Sequence, residues 1–211
     1  MSGSRASEVP LSSPGMWYLF DYGMVISTAP EPADWDALQA QAGRDLAHAD
    51  SRYWTHREAF DAGTLTPADY WAAVLGRTVE EERLAVLEDL DAAQWSRLNP
   101  ATVGVLQSLA DEGARLALLS NMPEGMSERY LRESSWAQYF EKTYFSGPLR
   151  MTKPDRRIFE HVLRDLPAAP GDVVFIDDNT RNISAAQALG FRTVLFGAGT
   201  DLRRELADLR R

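Results

Sequence analysis

Short apolar runs that stop at polar residues alternate with segments of helical periodicity over much of this chain. The runs at 16–20, 115–119, 143–145, 173–176 and 192–196 consist mainly of β-branched, aromatic and other apolar residues, and they predict buried strands. Helical patterns separate most of these runs, with short connections between them. Such alternation predicts an α/β fold with a doubly wound parallel sheet and right-handed crossovers.

Residues 28–99 interrupt this alternation. Apolar and aromatic side chains recur there at helical spacing, and no strand-like run occurs. Thr66 followed by Pro67 predicts the start of one of these helices. An insertion of about seventy residues is far longer than an ordinary crossover, so we expect a helical lid or cap over residues 28–99. Residues 16–27 and 100–211 would then form the core.

Composition limits the compartment and the partners of the 211-residue chain. It has no Cys, which excludes disulfides and a cysteine nucleophile and favours a reducing compartment, so we expect a cytoplasmic protein. A formal net charge of -9 argues against nucleic acid and anionic membranes as partners. The polar residues 1–15 lack the apolar segment of a signal peptide, and we expect a disordered leader there. The sequence does not indicate the oligomeric state.

Two carboxylates, Asp177 and Asp178, directly follow the fourth apolar run. Adjacent carboxylates repel each other, and a divalent cation would neutralise them. The alternative is a helix cap, because Asp and the following Asn179 are both good capping residues. Asp21 ends the first run in the same way, and neighbouring parallel strands bring such ends into one crevice. The repeated pattern therefore indicates a ligand site.

Ser120 and Asn121 end the second run. Their hydroxyl and amide groups suit a phosphate or carboxylate oxygen, although spacing alone favours a cap for the helix that begins near Pro123. Lys153 precedes a helix that starts near Arg156, where a positive charge opposes the helix dipole. An anionic partner would explain this lysine, and an exposed loop position is the commoner alternative.

In combination, these residues resemble the four motifs of the haloacid dehalogenase (HAD) superfamily, in order and at suitable separations. The resemblance covers the chain from about residue 16 onward, and the inserted segment is similar to the small helical C1 cap. It implies a Rossmann-like core. The stretches most similar to the branch with glucose-1-phosphate phosphatases and the N-terminal phosphatase domain of soluble epoxide hydrolases are 21–26, 119–121, 153–155 and 175–179.

This resemblance implies a magnesium-dependent phosphatase in which Asp21 forms an aspartyl-phosphate intermediate. The Asp21 carboxylate, the Gly23 backbone carbonyl and Asp178 would hold Mg²⁺. Asp177 would contact the ion through a water molecule, or would contact its ligands and not the ion itself.

The resemblance also assigns the residues that bind phosphate. Ser120 would donate to a phosphoryl oxygen, Asn121 would help to shape the site, and Lys153 would neutralise both nucleophile and phosphate. The substrate would be a small phosphorylated molecule.

The sequence departs from the family pattern at Gly23. Most phosphatases of this superfamily carry a second Asp there as general acid and base, and such proton transfer contributes about 10²–10⁴-fold to the rate. Some members of the resembled branch also have Gly at this position. A substrate with a good leaving group, such as an anomeric sugar phosphate or an acyl phosphate, would need no replacement. Otherwise His56 or Glu58 in the cap is a candidate for the general acid, although a histidine more commonly lies on a solvated helix face.

Three functions therefore remain open. The first is a phosphatase for a small phosphorylated metabolite such as a sugar phosphate. The second is a metal-independent 2-haloacid dehalogenase, against which the Asp177–Asp178 pair counts because it would repel an anionic haloacid. The third is a non-catalytic HAD-fold binding protein that lacks the general acid. Specificity would lie in cap residues that could face the crevice or, as is commoner for aromatic residues at helical spacing, form the cap core: Trp54, Arg57, Tyr70 and Trp71.

Overall fold

The computed structural model describes residues 11–13 and 15–209. Within them, the apolar runs form a single parallel sheet in the strand order β3-β2-β1-β4-β5. From β1 the chain proceeds outward through β2 to β3, and it then returns to the other side of β1 to form β4 and β5. The predicted doubly wound sheet is therefore confirmed. Its strands are β1 (Trp17–Phe20), β2 (Arg115–Ser120), β3 (Lys142–Phe145), β4 (Val173–Asp177) and β5 (Arg192–Leu195).

Helices are inserted after β1 and flank the sheet. The inserted helices, which we call the cap, are α1 (Pro32–Ala42), α2 (Arg52–Asp61), α3 (Pro67–Leu75) and α4 (Glu81–Gln94). The core helices are α5 (Pro100–Asp111), α6 (Glu124–Glu133), α7 (Ser146–Leu149), α8 (Arg156–Asp165), α9 (Thr180–Gln187) and α10 (Leu202–Asp208). Among the described residues, none of these helices is both long enough and apolar enough to cross a bilayer.

Both faces of the sheet are buried, as the near-continuous apolar strands predict. Successive side chains of a strand point to opposite faces, so β1 contributes to two apolar clusters. Tyr18 and Phe20 pack on the side of α5, α6 and α10, whereas Trp17 and Leu19 pack on the side of α8 and α9. The position of β1 in the sheet is thereby fixed from both sides.

The cap has an apolar core of its own, in which Tyr70 and Trp71 are fully buried. The two segments that connect it to the core run side by side, and an antiparallel bridge pairs Ser27 with Leu98. Thr66 caps α3 by accepting a hydrogen bond from the Asp69 amide at 3.1 Å, as its sequence context predicts. The inserted segment therefore folds around its own side chains.

The expected leader at 1–15 lies outside the described residues except at 11–13 and 15. Leu11 is buried, and the amides of Leu11 and Ser12 both donate to the Glu112 carboxylate. These residues therefore contact the core. The hydrophobic pattern does not reveal this contact because it depends on an acceptor about a hundred positions away in the chain.

The carboxyl ends of β1 and β4 meet where the strand order reverses. Phe20 pairs with Ile176 in the register, and the Asp21 amide donates to the Ile176 carbonyl at 2.9 Å. Asp21 and Asp177 therefore follow matching positions on neighbouring strands. Open α/β sheets bind ligands at such a switch point.

Candidate active site

Lys153 lies between two carboxylates at this switch point. Its Nζ is 2.8 Å from Asp21 Oδ1 and 2.7 Å from Asp177 Oδ2. The lysine is only 4% exposed, so the alternative of an exposed loop lysine is wrong. Although burial opposes its charge, the two carboxylates hold the pKa of Lys153 above its ordinary value. The helix that follows is capped by Asp155, which leaves Lys153 free to serve the site.

Asp177 is fully buried and fully occupied by hydrogen bonds. Its Oδ1 accepts from the Asn179 amide at 2.8 Å and from the Asn182 side chain at 3.0 Å. Its Oδ2 accepts from Lys153 and, at 3.1 Å, from the same Asn182 amide group. Asp177 therefore positions Lys153 and has little capacity for a further direct partner.

Asp178 differs from its neighbour in being exposed, and no other residue in the described part of the chain donates a hydrogen bond to its side chain. Partial burial and the nearby Asp177 raise the pKa of Asp178. Oxygen atoms of Asp21, Asp177 and Asp178 lie within 4.8 Å of one another. The cap of α9 is supplied by Asn179, which accepts from the Arg181 amide, and not by either aspartate. The aspartates are therefore available for a different role.

Asp21 lies at the centre of this cluster. Its Oδ1 accepts from Lys153 and from the Tyr22 amide, whereas Oδ2 has no hydrogen bond within the described part of the chain. Burial raises the pKa of Asp21 to about 7, with Lys153 opposing this shift and Asp177 and Asp178 adding to it. A cation would relieve the repulsion among the carboxylates, and a set of carboxylate oxygens is the donor type that Mg²⁺ prefers.

Ser120 and Asn121 do not cap a helix, contrary to what spacing alone favours. Helix α6 begins at Glu124, with Pro123 at the N-cap position. The Asn121 side chain instead donates to the Lys153 carbonyl at 2.9 Å and accepts from the Lys153 amide at 2.8 Å. Asn121 therefore fixes the Lys153 backbone. Ser120 is buried at the end of β2, and its hydroxyl has no hydrogen bond within the described residues.

A cavity of about 240 Å³ lies between this cluster and the cap, and Asp21, Ser120, Lys153 and Asp178 line it. Trp54, Arg57 and Asp61 of the cap line it, as does Trp95, which directly follows α4. A larger cavity of about 830 Å³ adjoins it but lacks Asp21, Ser120 and Lys153 among its lining residues. We therefore place the chemistry in the smaller cavity.

The cap residues suggested by the sequence fall into two groups. Trp54 and Arg57 line the cavity, whereas Tyr70 and Trp71 belong to the cap core. Neither candidate for the missing acid, His56 or Glu58, is among the lining residues. The sequence interpretation missed Asp61 and Trp95. Asp61 lies four positions after Arg57 on the same helix, and this spacing places both side chains on one face.

Comparison with known proteins identifies the family of the chain. The family model of the haloacid dehalogenase-like hydrolases matches residues 21–190. The chain belongs to this family. The matched range begins at Asp21 and includes the cap, Ser120, Lys153 and both aspartates of β4 and its following loop. The resemblance stated from the motifs is thereby confirmed.

Relatives of this HAD-like hydrolase differ in activity. D-ribitol-5-phosphate phosphatase of Bacteroides thetaiotaomicron is 29% identical over 205 residues, which cover 89% of this chain and 95% of that protein. (S)-2-haloacid dehalogenase 1 of a Pseudomonas strain is 31% identical over 161 residues, covering 68% and 69%. Drimenol cyclase of Aspergillus calidoustus is 29% identical over 194 residues, 90% of this chain, but the match spans only 36% of that protein.

A solved structure shares the fold of this HAD-like hydrolase. A HAD family enzyme of Bacteroides thetaiotaomicron, in complex with magnesium and inorganic phosphate, superposes with a TM-score of 0.70 at 23% identity. The superposition covers 88% of this chain and 96% of that enzyme. At this identity the likeness establishes the α/β fold.

Proposed function

We propose that this HAD-like hydrolase is a magnesium-dependent phosphatase that hydrolyses a small phosphorylated metabolite through an aspartyl-phosphate on Asp21. One observation carries the proposal: three carboxylates lie within 4.8 Å of one another, with a single lysine between two of them. This surplus of negative charge suits a site that binds a divalent cation together with a phosphate. The phosphatase relative and the neighbour with bound magnesium and phosphate support it.

The residues present fit a magnesium ion. Asp21, Asp178 and the Gly23 carbonyl would hold it, because no other residue in the described part of the chain donates a hydrogen bond to the Asp178 side chain or to the Gly23 carbonyl. Asp177 would support the site through Lys153, since its own oxygens are occupied. When bound, the ion would supply positive charge to the carboxylates and to the phosphoryl oxygens.

The side chains of this site account for both halves of the reaction. Asp21 Oδ2 attacks phosphorus opposite the ester oxygen, and the phosphorus–ester bond breaks to release the alcohol. Water then hydrolyses the aspartyl-phosphate and releases inorganic phosphate, which restores the carboxylate. The Lys153 ammonium and the Ser120 hydroxyl donate to phosphoryl oxygens as negative charge develops on them.

The released alcohol requires a proton that residue 23 does not supply, because it is glycine. His56 and Glu58 do not line the cavity, and Arg57 binds the Asp61 carboxylate, so water is the donor that we propose for the leaving oxygen. A substrate with a good leaving group, such as a sugar phosphate with an anomeric ester, suits this arrangement.

A 2-haloacid dehalogenase is the second candidate, and the relative from Pseudomonas favours it. The three clustered carboxylates weigh against this activity, because without a cation they would repel the carboxylate of a haloacid. A non-catalytic binding protein is less well supported, since Asp21, Ser120 and Lys153 all line one cavity.

Turnover of p-nitrophenyl phosphate and of 2-chloropropionate, each with magnesium and with EDTA, tests these alternatives. We expect turnover of the phosphate ester only with magnesium. The variant Asp21→Asn should lose this activity and remain folded, whereas Asp111→Asn, an exposed residue at the end of α5, should retain it. Dehalogenation that resists EDTA would overturn the proposal, as would near-normal activity of Asp21→Asn.

A further inference from the structure

Arg57 is the one cationic side chain that the cap contributes to the cavity lining within the described residues. Its Nε donates to Asp61 at 2.8 Å, and its Nη1 contacts Asp91 at 2.9 Å and the Tyr53 hydroxyl at 2.7 Å. All three partners belong to the cap. The guanidinium is therefore bound by its own domain before any substrate arrives.

Two carboxylates outweigh the single charge of Arg57. The side chains of Arg57, Asp61 and Asp91 are 12%, 14% and 1% exposed, so solvent screens their interaction poorly. Burial raises the pKa of Asp61 to about 6, and Arg57 opposes that shift. Above neutral pH Asp61 is therefore mostly ionised. The cap side of the cavity then has no surplus of positive charge for a second anionic group of a substrate.

Hydrogen bonds hold Asp61 and Asp91 beside Arg57. Its backbone carbonyl accepts a hydrogen bond from Ser146 in the core, and its Oδ1 is bound by Arg57. Asp91 is fixed in turn by the Tyr53 hydroxyl and by Gln94. The Asp91 carboxylate cannot leave Arg57 without breaking its bonds to Tyr53 and Gln94, and the Ser146 bond fixes the backbone from which the Asp61 carboxylate reaches Arg57.

The remaining walls of the cavity are largely apolar or aromatic. Trp54 and Trp95 pack edge to face, with ring centroids 6.2 Å apart, and both line the cavity. The core adds Tyr22, Met24, Met122 and Met126. Burial of an uncharged organic group against such walls is favourable, because apolar surface is removed from water.

We propose that the cap selects phosphate monoesters whose organic group carries no charge, and that Asp61 is the residue that sets this selectivity. The inference rests on the proposed phosphatase function and names its substrate class. A substrate with a carboxylate near its phosphate would place that carboxylate beside Asp61 without a free cation to receive it. Uncharged organic groups meet no such repulsion.

A matched pair of esters tests the proposal: benzyl phosphate and 4-carboxybenzyl phosphate. The two share a ring and a benzylic leaving oxygen and differ in one carboxylate. With magnesium present, we expect kcat/KM of the wild-type protein to be at least about tenfold higher for benzyl phosphate. Because this comparison uses the wild-type protein alone, it does not depend on whether a variant folds.

Substitutions then assign the effect to Asp61. Asp61→Asn removes the charge but keeps the shape, and we expect it to shrink the ratio between the two esters by several-fold. Glu58→Gln is the matched control: it lies on the same helix and changes the net charge equally, but it is exposed and does not line the cavity. The control should leave the ratio unchanged.

Two results would overturn the inference alone: equal or better turnover of the carboxylated ester by the wild-type protein, or a folded Asp61→Asn that keeps the wild-type ratio. If the protein hydrolyses p-nitrophenyl phosphate but neither benzyl ester, phenyl phosphate and 3-carboxyphenyl phosphate, which have better leaving groups, take the place of the pair with the same expected ratio and the same two overturning results. A different result would overturn the proposed function, and the inference with it. That result is a folded, magnesium-loaded protein that hydrolyses neither ester and no p-nitrophenyl phosphate.

Discussion

The Ser146 hydroxyl donates a hydrogen bond to the backbone carbonyl of Asp61 and so joins α7 of the core to the end of α2 in the cap. The same hydroxyl accepts from the Met122 amide at 2.8 Å. Close beside it, a Cβ atom at Gly63 would lie 2.5 Å from the Gly147 carbonyl oxygen, and Gly63 has a φ of +66°. This junction therefore requires small residues on both sides, and it fixes the cap over the cluster of Asp21, Lys153 and Asp177.

Ser146→Ala should weaken this junction. The substitution leaves the Asp61 carbonyl and the Met122 amide without their partner, and we expect it to lower the free energy of unfolding by about 1–3 kcal/mol. The kcat/KM for p-nitrophenyl phosphate should fall with it. Ser127→Ala is the control, because Ser127 is also buried but its hydroxyl bonds within its own helix, to Glu124. Equal losses of stability and activity in both variants, measured by urea denaturation and steady-state kinetics, would contradict this role.

Removal of the charge of Asp177 should affect stability, whereas removal of the charge of Asp178 should affect magnesium binding. Asp177→Asn weakens a buried ion pair with Lys153, and we expect a loss of about 3 kcal/mol in the free energy of unfolding. Asp178→Asn changes an exposed side chain to which no other described residue donates a hydrogen bond, so stability should change by less than about 0.5 kcal/mol. Magnesium titration should instead show weaker binding to Asp178→Asn. Normal magnesium affinity of this variant would exclude Asp178 as a ligand.

Much of the core site could be predicted from the sequence because it depends on the ends of apolar strands. Asp21 and Asp177 each follow such a run, and parallel pairing necessarily brings those ends together. The role of Asn121 could not be decided in this way. Its partner is the backbone of Lys153, 32 positions later, and a local pattern contains no information on that contact.

The cap was harder to predict because helical periodicity identifies a helix but not the neighbour of each face. Tyr53 and Phe60 are buried in the cap core, and this orientation directs Arg57 and Asp61 toward the cavity and leaves His56 outside its lining. The spacing of Tyr53, Arg57 and Asp61 by four residues was the available signal. This spacing places the three side chains on one face of α2. It does not show where that face points until the burial of one of the three is known.

Glu88 in α4 should make the stability of the protein depend on pH. It accepts a hydrogen bond from the Trp71 indole at 2.6 Å, and burial raises its pKa from 4.5 to about 7, with Asp91 adding to this shift. The folded state therefore binds the proton more tightly than the unfolded state. The contribution of Glu88 to stability is greatest below about pH 4.5 and is lost as the pH rises toward 7.

Glu88→Gln keeps an acceptor for Trp71 and removes the charge. We expect it to raise the free energy of unfolding by about 1–3 kcal/mol at pH 8 and to change it little at pH 4.5. Urea denaturation across this range measures the difference. The control Glu82→Gln is an exposed residue of the same helix and should show no such trend. A stabilisation of Glu88→Gln that does not vary with pH would refute this explanation.

Gly23 offers a direct test of the missing general acid. A Cβ atom there meets no other atom within 4 Å, and the backbone is outside the left-handed region, so a side chain can begin there without a backbone clash or strain. If proton donation limits the release of poor leaving groups, Gly23→Asp should raise kcat for benzyl phosphate, by up to about 10²-fold. The gain for p-nitrophenyl phosphate should be much smaller, because its phenolate needs little help to leave. Gly23→Asn has nearly the same size but no acidic proton. Equal rates for the two variants on benzyl phosphate would show that proton donation at this position does not limit the reaction.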